Sequence, residues 1–188
     1  MHHGDGRVLR IVEYPRNIGK VAVLNQQIAA ASGEIVALCD TSSILAPDLL
    51  RKAVRRFADP GIGVVAPSYR LLKPGSGGEQ HYTSFLASSR LSEGLLDSPL
   101  GCHGACYLVR RVHWQPLPPD TINDDFVLPL QIIGGGARGI YDTSIESLEL
   151  ETTKRRQEFR RRIRIGAGNM QQSIRLAALL DPRRPWLA

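Results

Sequence analysis

Two adjacent carboxylates, Asp124 and Asp125, stand directly before an apolar run in the segment TINDDFVLPL, residues 121–130. One interpretation is a helix N-terminus, where Asn123 or Asp124 caps free backbone N–H groups and negative charge suits the helix dipole. The other is a general base at the mouth of a site, because a carboxylate can take a proton from an attacking hydroxyl. The segment by itself leaves both interpretations open.

A third carboxylate, Asp40, ends the short apolar run EIVALCD, residues 34–40. Such a run is typical of a strand buried on both faces in a parallel sheet, so Asp40 is expected at the carboxyl end of a central strand. Further along, seven basic residues and one acidic residue lie between Lys154 and Arg164. Together these groups suit a substrate with a phosphate and a hydroxyl, because carboxylates can hold a divalent cation or accept a proton and arginines can stabilise departing phosphate charge.

The composition predicts a single folded domain over residues 1–188. Hydrophobic residues make up 43% of the chain and charged residues 22%, with no repeat or low-complexity tract. No apolar run reaches the roughly 18 residues that a membrane-spanning helix needs. The formal net charge of +6 favours an anionic partner.

The three cysteines make an odd count, which favours reduced thiols and a cytosolic setting over a disulfide framework. Cys102, His103 and Cys106 lie close together in the chain. We expect no metal at this trio, because it offers three ligands and its spacing fits no common zinc pattern.

Hydrophobic periodicity predicts alternating helices and strands. The predicted strands cover residues 34–40, 61–67, 104–111 and 136–143. The predicted helices cover residues 21–31, 46–57, 80–96 and 154–180, and a further helix begins at Asp124 and Asp125. The Gly-, Ser- and Pro-rich segment 73–78 is a candidate flap. This order predicts an α/β fold with an open, mostly parallel sheet flanked by helices, and ligands gather beyond the carboxyl ends of strands in such folds.

Two of these helices carry apolar stripes that are expected to pack. In the 46–57 helix the stripe is Leu49, Leu50, Ala53, Val54 and Phe57. In the basic C-terminal helix, 154–180, it is Phe159, Ile163, Gly166, Met170, Ile174 and Ala177, with the arginines on the other face.

Five segments, in order, resemble the family 2 glycosyltransferases of the GT-A fold. RNIGKVAVLN (16–25) resembles the family's Asn-x-Gly-Lys-x-x-Ala-Leu-Asn segment, and GEIVALCDTSSILAPDLL (33–50) the strand that ends in an Asp-x-Asp-type motif. GCHGACYLVRR (101–111) resembles a Gly-x-x-Gly-Ala-x-Tyr-x-x-Arg-Arg segment, NDDF (123–126) the acidic pair with the catalytic base, and FRRRIRIGAGNMQ (159–171) the Gln-x-x-Arg-Trp region.

The resemblance implies an inverting transfer of a sugar from a nucleotide-sugar donor, expected to be a UDP-sugar, to a hydroxyl of a saccharide or lipid-linked acceptor. Asp125 matches the general base and Asp124 its neighbour. Asp40 matches the metal-binding aspartate for Mg²⁺ or Mn²⁺. The remaining matched positions are, for the donor, Asn17, Lys20, Asp40, Ser42, Arg161 and Arg164 and, for the acceptor, Gly101, Gly104, Ala105 and Gln171.

The chain departs from the family pattern at two motifs. Ser42 stands where the second aspartate of a strict Asp-x-Asp motif would be, so a weaker metal site is expected. Ile165 replaces the aromatic residue of the Arg-Trp pair and Arg161 its glutamine, which favours a non-processive enzyme. An alternative register pairs Gln157 with Arg160 and Arg161 instead.

Family members begin with strands that form the nucleobase pocket, and this sequence resembles the family only after them. The expectation is therefore an N-terminally truncated GT-A domain, in which a second chain completes the sheet or which is a catalytically incompetent scaffold. The basic helix suggests a place at the cytosolic face of a membrane, near anionic lipid. Nucleic acid is not expected as a partner, because the basic run contains a single aromatic residue, Phe159, and no recognisable nucleic-acid-binding motif.

Overall fold

The computed structural model describes residues 9–71, 77–96, 98–149 and 155–175. Most of the predicted flap at 73–78 lies outside these ranges, and its last two residues begin a helix. The helices are α1 (Lys20–Ala30), α2 (Leu49–Arg56), α3 (Gly77–Leu96), α4 (Asp124–Gly134) and α5 (Arg155–Arg175). The strands are β1 (Ile35–Cys39), β2 (Ser43–Leu45), β3 (Ile62–Leu71), β4 (Cys106–Arg110) and β5 (Arg138–Glu149).

The strands form one mixed sheet in the order β1-β4-β3-β5-β2. Strand β4 runs antiparallel to both β1 and β3, β2 runs antiparallel to β5, and β3 pairs with β5 in parallel. The expectation of a mostly parallel sheet was therefore wrong for the part of the chain that the structure describes. Apolar runs identify strands, but strand direction depends on how the intervening segments return the chain to the sheet.

Strand β1 ends in Asp40 as predicted, but it is not a central strand buried on both faces. It lies at one end of the described sheet, and Ala37 and Cys39 are exposed. An apolar run of five residues fits a half-buried strand as well as a buried one, since only its pairing partners decide the difference. The strand next to it, β4, lies inside the sheet, and every residue of β4 is buried.

Helices cover both faces of the sheet and bury two separate cores. One core packs α1 and α4 against the sheet, with Tyr107 and Val109 of β4 among its members. The other packs α2 on the opposite face, with Cys106 and Leu108 of β4. Alternate residues of β4 thus enter opposite cores, as the two-residue period of a strand requires.

The predictions of the two apolar stripes were wrong in different ways. The stripe predicted for α2 was too wide, and the stripe predicted to pack in α5 faces solvent. In α2 only Leu49, Ala53 and Phe57 are buried, whereas Leu50 and Val54 are about half exposed. In α5 the described members of the predicted packed face are exposed, and the buried positions are instead Gly168 and Gln172. The last predicted member, Ala177, lies outside the described residues. Periodicity identifies an apolar stripe, but a helix at the edge of a fold can pack through small and polar residues instead.

Gly63 in β3 lets α4 lie close to the sheet. A Cβ atom at this position would lie 2.6 Å from both Ala137 Cβ and Ile132 Cγ2. We expect Gly63→Ala to lower the free energy of unfolding by about 1–3 kcal/mol, the usual effect of overpacking a core. Thermal or urea denaturation measures this, with Gly94→Ala in α3, where a Cβ meets nothing within 4 Å, as the control. An unchanged stability of Gly63→Ala would contradict the close packing of α4.

Candidate active site

The register of β1 against β4 places Asp40 beside the loop that precedes β4. Cys39 is directly opposite Cys106 in the antiparallel pair, and the Asp40 N–H donates to the carbonyl of Ala105 at 3.1 Å. The turn after Asp40 closes through the Ser43 N–H, which donates to the Asp40 carbonyl at 3.1 Å, and half-buried Ser42 lies in this turn. Asp40, the predicted metal ligand, is thus held to the segment 101–105 by a backbone hydrogen bond.

A proline in α4 ties the same loop to the helix that carries Asp125. Pro129 has no N–H, so the carbonyl of Asp125, four residues earlier, has no helical donor from it. That carbonyl instead accepts the N–H of Cys102 at 3.0 Å. The loop 101–105 is therefore held to the first turn of α4 as well as to the end of β1.

Asp40 and Asp125, the predicted metal ligand and the predicted general base, both lie close to Gly104. A Cβ atom built on Gly104 would lie 3.1 Å from Asp125 Oδ2 and 3.3 Å from Asp40 Oδ2. Asp40 and Asp125, 85 positions apart in the sequence, thus flank the same glycine. A residue without a side chain keeps the space between the two carboxylates open.

Lys20 joins two of the three carboxylates. Its Nζ lies 3.1 Å from Asp124 Oδ2 and 3.4 Å from Asp40 Oδ1. Burial acts to lower the pKa of Lys20, but the charges of the two carboxylates together raise this pKa above its ordinary value. Lys20 is therefore a permanent cation between Asp40 and Asp124.

A local turn presents this lysine. The Asn17 Oδ1 atom accepts the Gly19 N–H at 2.9 Å, and Gly19 has a positive φ of 85° immediately before α1 begins. Asparagine two residues ahead of a left-handed glycine is a stable turn that starts the helix at Lys20. Asn17, predicted to bind the donor, thus has a demonstrated contact with the turn that positions Lys20.

Asp125 is half-buried and has a raised pKa. Burial is the largest cause, and the negative charge of Asp124 adds to it, while the charge of Lys20 acts in the opposite direction. The two aspartates therefore differ in role: Asp124 pairs with Lys20, and Asp125 faces the Gly104 side. A carboxylate with a raised pKa beside an open space suits a general base.

The capping interpretation of this segment holds only in part. Asn123 is the N-cap residue of α4, and both aspartates lie in the first turn, but the Asn123 side chain makes no cap hydrogen bond. Its Nδ2 donates instead to the Ile165 carbonyl at 3.3 Å and to Asn169 Oδ1 at 3.2 Å on α5. The helix start is stabilised through the dipole, and the asparagine attaches α5 to it.

Gln171 completes this attachment. Its Oε1 accepts the Ile122 N–H at 3.2 Å and its Nε2 donates to the Asp120 carbonyl at 2.9 Å, while Arg175 forms an ion pair with Asp120. Gln171 was predicted to bind the acceptor, and here both ends of its amide contact the backbone that leads to Asp124. Helix α5 therefore holds the segment 120–123 in place.

The other predicted positions take different places around this centre. Arg161 is half-buried and acts electrostatically on His103, whereas Arg164 is exposed. Gly101 has a positive φ of 147° and meets the Phe126 ring, with 2.8 Å from a built Cβ to Phe126 Cδ2. Ala105 is buried; its carbonyl accepts the Asp40 N–H, and its own N–H donates to His103 Nδ1.

Sequence reasoning missed four residues near the site. Tyr69 stacks on His103, with ring centroids 3.4 Å apart, and the Arg90 guanidinium donates to the Cys102 carbonyl at 3.3 Å. Burial, assisted by the charges of Arg90 and Arg161, lowers the pKa of His103 to about 3, so this histidine is neutral. The buried Tyr107 hydroxyl has no hydrogen-bond partner among the residues that the structure describes, and its pKa is raised by burial and by the charges of all three carboxylates.

The cysteine chemistry near the site does not suit a metal. Burial raises the pKa of the Cys102 thiol to about 12, and a hydrogen bond with Cys39, with burial, raises the pKa of Cys106. Metals bind thiolates, which these cysteines resist forming. Within the ranges that the structure describes, no group of three or more His, Cys, Asp or Glu side chains is arranged to hold a metal ion.

A family model for "Glycosyl transferase family 2" matches residues 2–115, which is more than half of the chain. The chain belongs to this family. The match includes Lys20, Asp40 and Gly104 and ends before the two aspartates of α4 and before α5. A comparison with curated protein sequences finds no match.

Solved structures agree with a GT-A glycosyltransferase fold. The mannosyltransferase PcManGT from Pyrobaculum calidifontis, solved with GDP-Man and Mn²⁺, matches 98% of this family 2 chain at 25% identity with a TM-score of 0.77. This chain spans about half of that structure, 52%. Glucosyl-3-phosphoglycerate synthase from Mycobacterium tuberculosis matches 78% of the chain, covering 51% of that structure, at 22% identity and a TM-score of 0.45, too low to carry an argument.

The family and the fold class expected from the motifs are therefore confirmed, with a mixed sheet in place of a mostly parallel one. The individual site residues stay predictions, to which the structure adds their contacts. In the described part of the chain, no helix is both long and apolar enough to cross a membrane.

Gly168 tests whether α5 holds the segment that leads to the aspartates. A Cβ atom at Gly168 would lie 2.3 Å from Asn123 Nδ2, whereas at Gly166 it would meet nothing within 4 Å. We expect Gly168→Ala to separate α5 from Asn123 and to destabilise the protein by about 1–3 kcal/mol. Gly166→Ala, two residues away, should stabilise it by about 0.5–1 kcal/mol through helix propensity.

Denaturation curves of the two variants measure the difference directly. Equal stabilities for the two alanine variants would show that α5 does not rest on Asn123.

Proposed function

We propose that this domain is an inverting glycosyltransferase that moves a sugar from a nucleotide-sugar donor to a hydroxyl acceptor in polysaccharide or glycolipid synthesis. The observation that carries the proposal is that Asp40 Oδ2 and Asp125 Oδ2 both lie within 3.3 Å of the point that a Cβ atom on Gly104 would occupy. A donor diphosphate near Asp40 and an acceptor hydroxyl near Asp125 would meet in the space that the missing side chain leaves open. Membership of family 2 supports this assignment.

In the proposed reaction Asp125 is the general base. The acceptor oxygen attacks the anomeric carbon from the face opposite the diphosphate, the carbon–oxygen bond to the phosphate breaks, and the hydroxyl proton passes to Asp125. The raised pKa of Asp125 makes its carboxylate a better proton acceptor than an ordinary aspartate. The Asp124–Lys20 pair places a fixed cation beside it.

The donor side is proposed to consist of Asp40, Ser42, Lys20 and Asn17, with Arg161 and Arg164 from α5 near the departing diphosphate. A divalent cation, Mg²⁺ or Mn²⁺, fits this set through oxygen ligands. Asp40 supplies one carboxylate, and such ions are commonly held by one or two carboxylates together with substrate phosphates. When bound, the cation neutralises charge on the diphosphate. The neighbouring mannosyltransferase was solved with GDP-Man and Mn²⁺, so guanine as well as uracil nucleotides are candidates.

The acceptor side is proposed to be the loop 101–105 with the surface around Arg90 and Arg161. The backbone of this loop is fixed by β1, α4 and the His103 side chain, whose Nδ1 accepts the Ala105 N–H at 3.2 Å. A rigid backbone beside the base holds an acceptor hydroxyl in one orientation, which is a large part of the catalytic effect in bimolecular transfers. Gln171 contributes by holding the segment before the base.

A second candidate is a subunit that needs another strand, from a second chain or a further segment, before it turns over. The specific observation is the edge of the described sheet: Ala37 and Cys39 of β1 are exposed, and Leu9 and Ile11 are 57% and 76% exposed. Unpaired strand edges and neighbouring apolar residues favour association. Nucleotide binding by the chain alone separates this candidate from the first.

Asp125→Asn should abolish transfer without weakening the fold. We expect kcat to fall at least about 100-fold, the lower range for loss of a general base. An aspartate whose pKa is raised in the folded protein stabilises the fold while it is protonated. This contribution is complete below the ordinary pKa of aspartate and is lost as pH rises through the raised pKa. At neutral pH the neutral amide should therefore keep or increase the free energy of unfolding. Transfer assays and denaturation curves, each over a range of pH, measure both effects.

The matched control is Asp142→Asn. Burial acts to raise the pKa of Asp142, but hydrogen bonds from Ser144 and Arg56 lower this pKa below its ordinary value. This aspartate therefore stabilises the fold above its ordinary pKa, and its amide variant should be less stable at neutral pH while kcat is unchanged. A kcat of Asp125→Asn within about threefold of the unmodified protein would rule out Asp125 as the general base.

Metal binding should depend on nucleotide. Because the described residues offer no group of three ligands, Mn²⁺ alone is expected to bind weakly, and GDP or UDP should raise its affinity by about tenfold or more by adding phosphate oxygens. Asp40→Ala should remove this enhancement. Calorimetric titration of Mn²⁺ with and without each nucleotide measures it.

Asp59→Ala is the control, since Asp59 has a similarly exposed carboxylate that pairs with Arg138 away from the site. Nucleotide-dependent binding that survives in Asp40→Ala would remove Asp40 from the metal site. Absence of any nucleotide-dependent binding to the folded chain would favour the subunit that needs another strand.

A further inference from the structure

Helix α5 has an apolar face that packs against nothing in the described structure. Phe159, Ile163, Met170 and Ile174, here called the α5 stripe, are 66%, 58%, 65% and 72% exposed. Single exposed apolar residues are ordinary on protein surfaces, but four on one face of a single helix indicate a surface that has a partner.

The α5 stripe lies on the far side of the helix from its attachment to the domain. With about 100° of rotation per residue, the four side chains fall within an arc of about 60°, and the buried positions Gly168 and Gln172 lie about 180° away. The face toward the domain is therefore polar and small, and the face toward solvent is apolar. A helix that only covered its own domain would have these faces reversed.

Arginines border the stripe on both sides. Arg160 and Arg162 are exposed, and by the same helical rotation they lie on opposite flanks of the stripe, with Arg164 further round. Residues 159–175 contain five arginines and no acidic residue. An arginine places its apolar stem along a hydrophobic surface while its guanidinium reaches anionic groups at the edge.

We propose that the α5 stripe docks on the surface of an anionic lipid bilayer, with the four apolar side chains in the headgroup boundary and the flanking arginines on lipid phosphates. An apolar face bordered by cations is the pattern of helices that lie in the membrane interface. Attraction of several arginines to anionic lipid adds to the apolar contribution. A second copy of this chain fits less well, because the flanking Arg160 and Arg162 of one copy would face the same arginines of the other across a symmetric contact.

The size of the apolar surface also favours a bilayer over a second copy of the chain. A stable protein dimer buries roughly 800 Å² on each partner, far more than one row of four side chains supplies. A bilayer needs only that the apolar row enter the interface.

The opposite face of α5 contacts Asn123 and the segment that leads to Asp124 and Asp125. Docking of the stripe would therefore bring the lipid surface within about one helix diameter, 10–12 Å, of this segment. If the proposed function is correct, an acceptor presented at the bilayer surface would lie near the general base. The docking itself requires no catalytic activity.

Sedimentation with lipid vesicles tests the proposal on the chain as it exists. Vesicles of phosphatidylcholine with one quarter phosphatidylglycerol are compared with vesicles of phosphatidylcholine alone. We expect binding to the anionic vesicles at least tenfold tighter than to the neutral ones. The double variant Phe159→Glu with Ile163→Glu should lower binding to the anionic vesicles at least tenfold. Arg160→Gln with Arg162→Gln should lower it by roughly fivefold for each arginine removed.

Two control variants on α2 match these changes. Each replaces the same number of residues, with the same change in charge, as the α5 variant that it controls. Leu50→Glu with Val54→Glu introduces the same charge at apolar residues that are 52% and 51% exposed, also four residues apart. Arg51→Gln with Arg55→Gln removes two exposed arginines. Both controls should bind vesicles within about threefold of the unmodified chain, since α2 lies elsewhere on the fold.

Three outcomes would overturn the proposal. The first is no binding of the unmodified chain to either vesicle. The second is an equal loss of binding in the α5 and α2 variants, which would show a general charge effect. The third is a dimer by analytical ultracentrifugation that the Phe159→Glu with Ile163→Glu variant converts to a monomer, without vesicle binding, which would make a second copy the occupant. Because none of these measures transfer, their results are independent of whether Asp125 is the base.

Discussion

The antiparallel register of β1 and β4 is the constraint on which the site depends. It sets Cys39 opposite Cys106, so that the next residue along one strand, Asp40, meets the residue before the other, Ala105. A shift by one residue would turn every side chain of β1 to the other face of the sheet. The register is held by burial of every β4 residue between two cores, and the position of Asp40 follows from it.

A second constraint brings Asp125 to the same place. The loop 101–105 leads into β4, and its Cys102 N–H donates to the carbonyl of Asp125, which Pro129 leaves without a helical donor. Proline inside a helix usually costs about 3 kcal/mol. Here part of that cost is offset because the released carbonyl of Asp125 binds the loop that also binds Asp40. The packing of α4 against Gly63 then fixes the height of the helix above the sheet.

The site collects charges that a stable core would avoid. Asp40 and Asp124 share one lysine, burial and the charge of Asp124 raise the pKa of Asp125, and the buried Tyr107 hydroxyl has no hydrogen-bond partner among the described residues. Such groups reduce stability unless substrate, cation or proton transfer uses them, which is typical of functional sites. The two faces of α5 have different environments. Its polar face holds the segment before Asp124 through the hydrogen bond between Asn123 and Asn169, and its apolar face is exposed to solvent.

The family, the strand before Asp40, the helix that opens with Asp124 and Asp125, and the basic character of α5 can all be predicted from the amino-acid sequence. The structural features among these are local: an apolar run, a carboxylate pair and a charge run are each readable within about a dozen neighbouring residues. Three other features become visible only in the folded protein: β1 is an edge strand, the sheet is mixed, and Asn123 binds α5 in place of capping α4. The tertiary structure alone brought Tyr69, His103 and Arg90 to the site and turned the α5 stripe to solvent. These outcomes depend on which distant segments pair and pack, and no periodicity within a single segment contains that information.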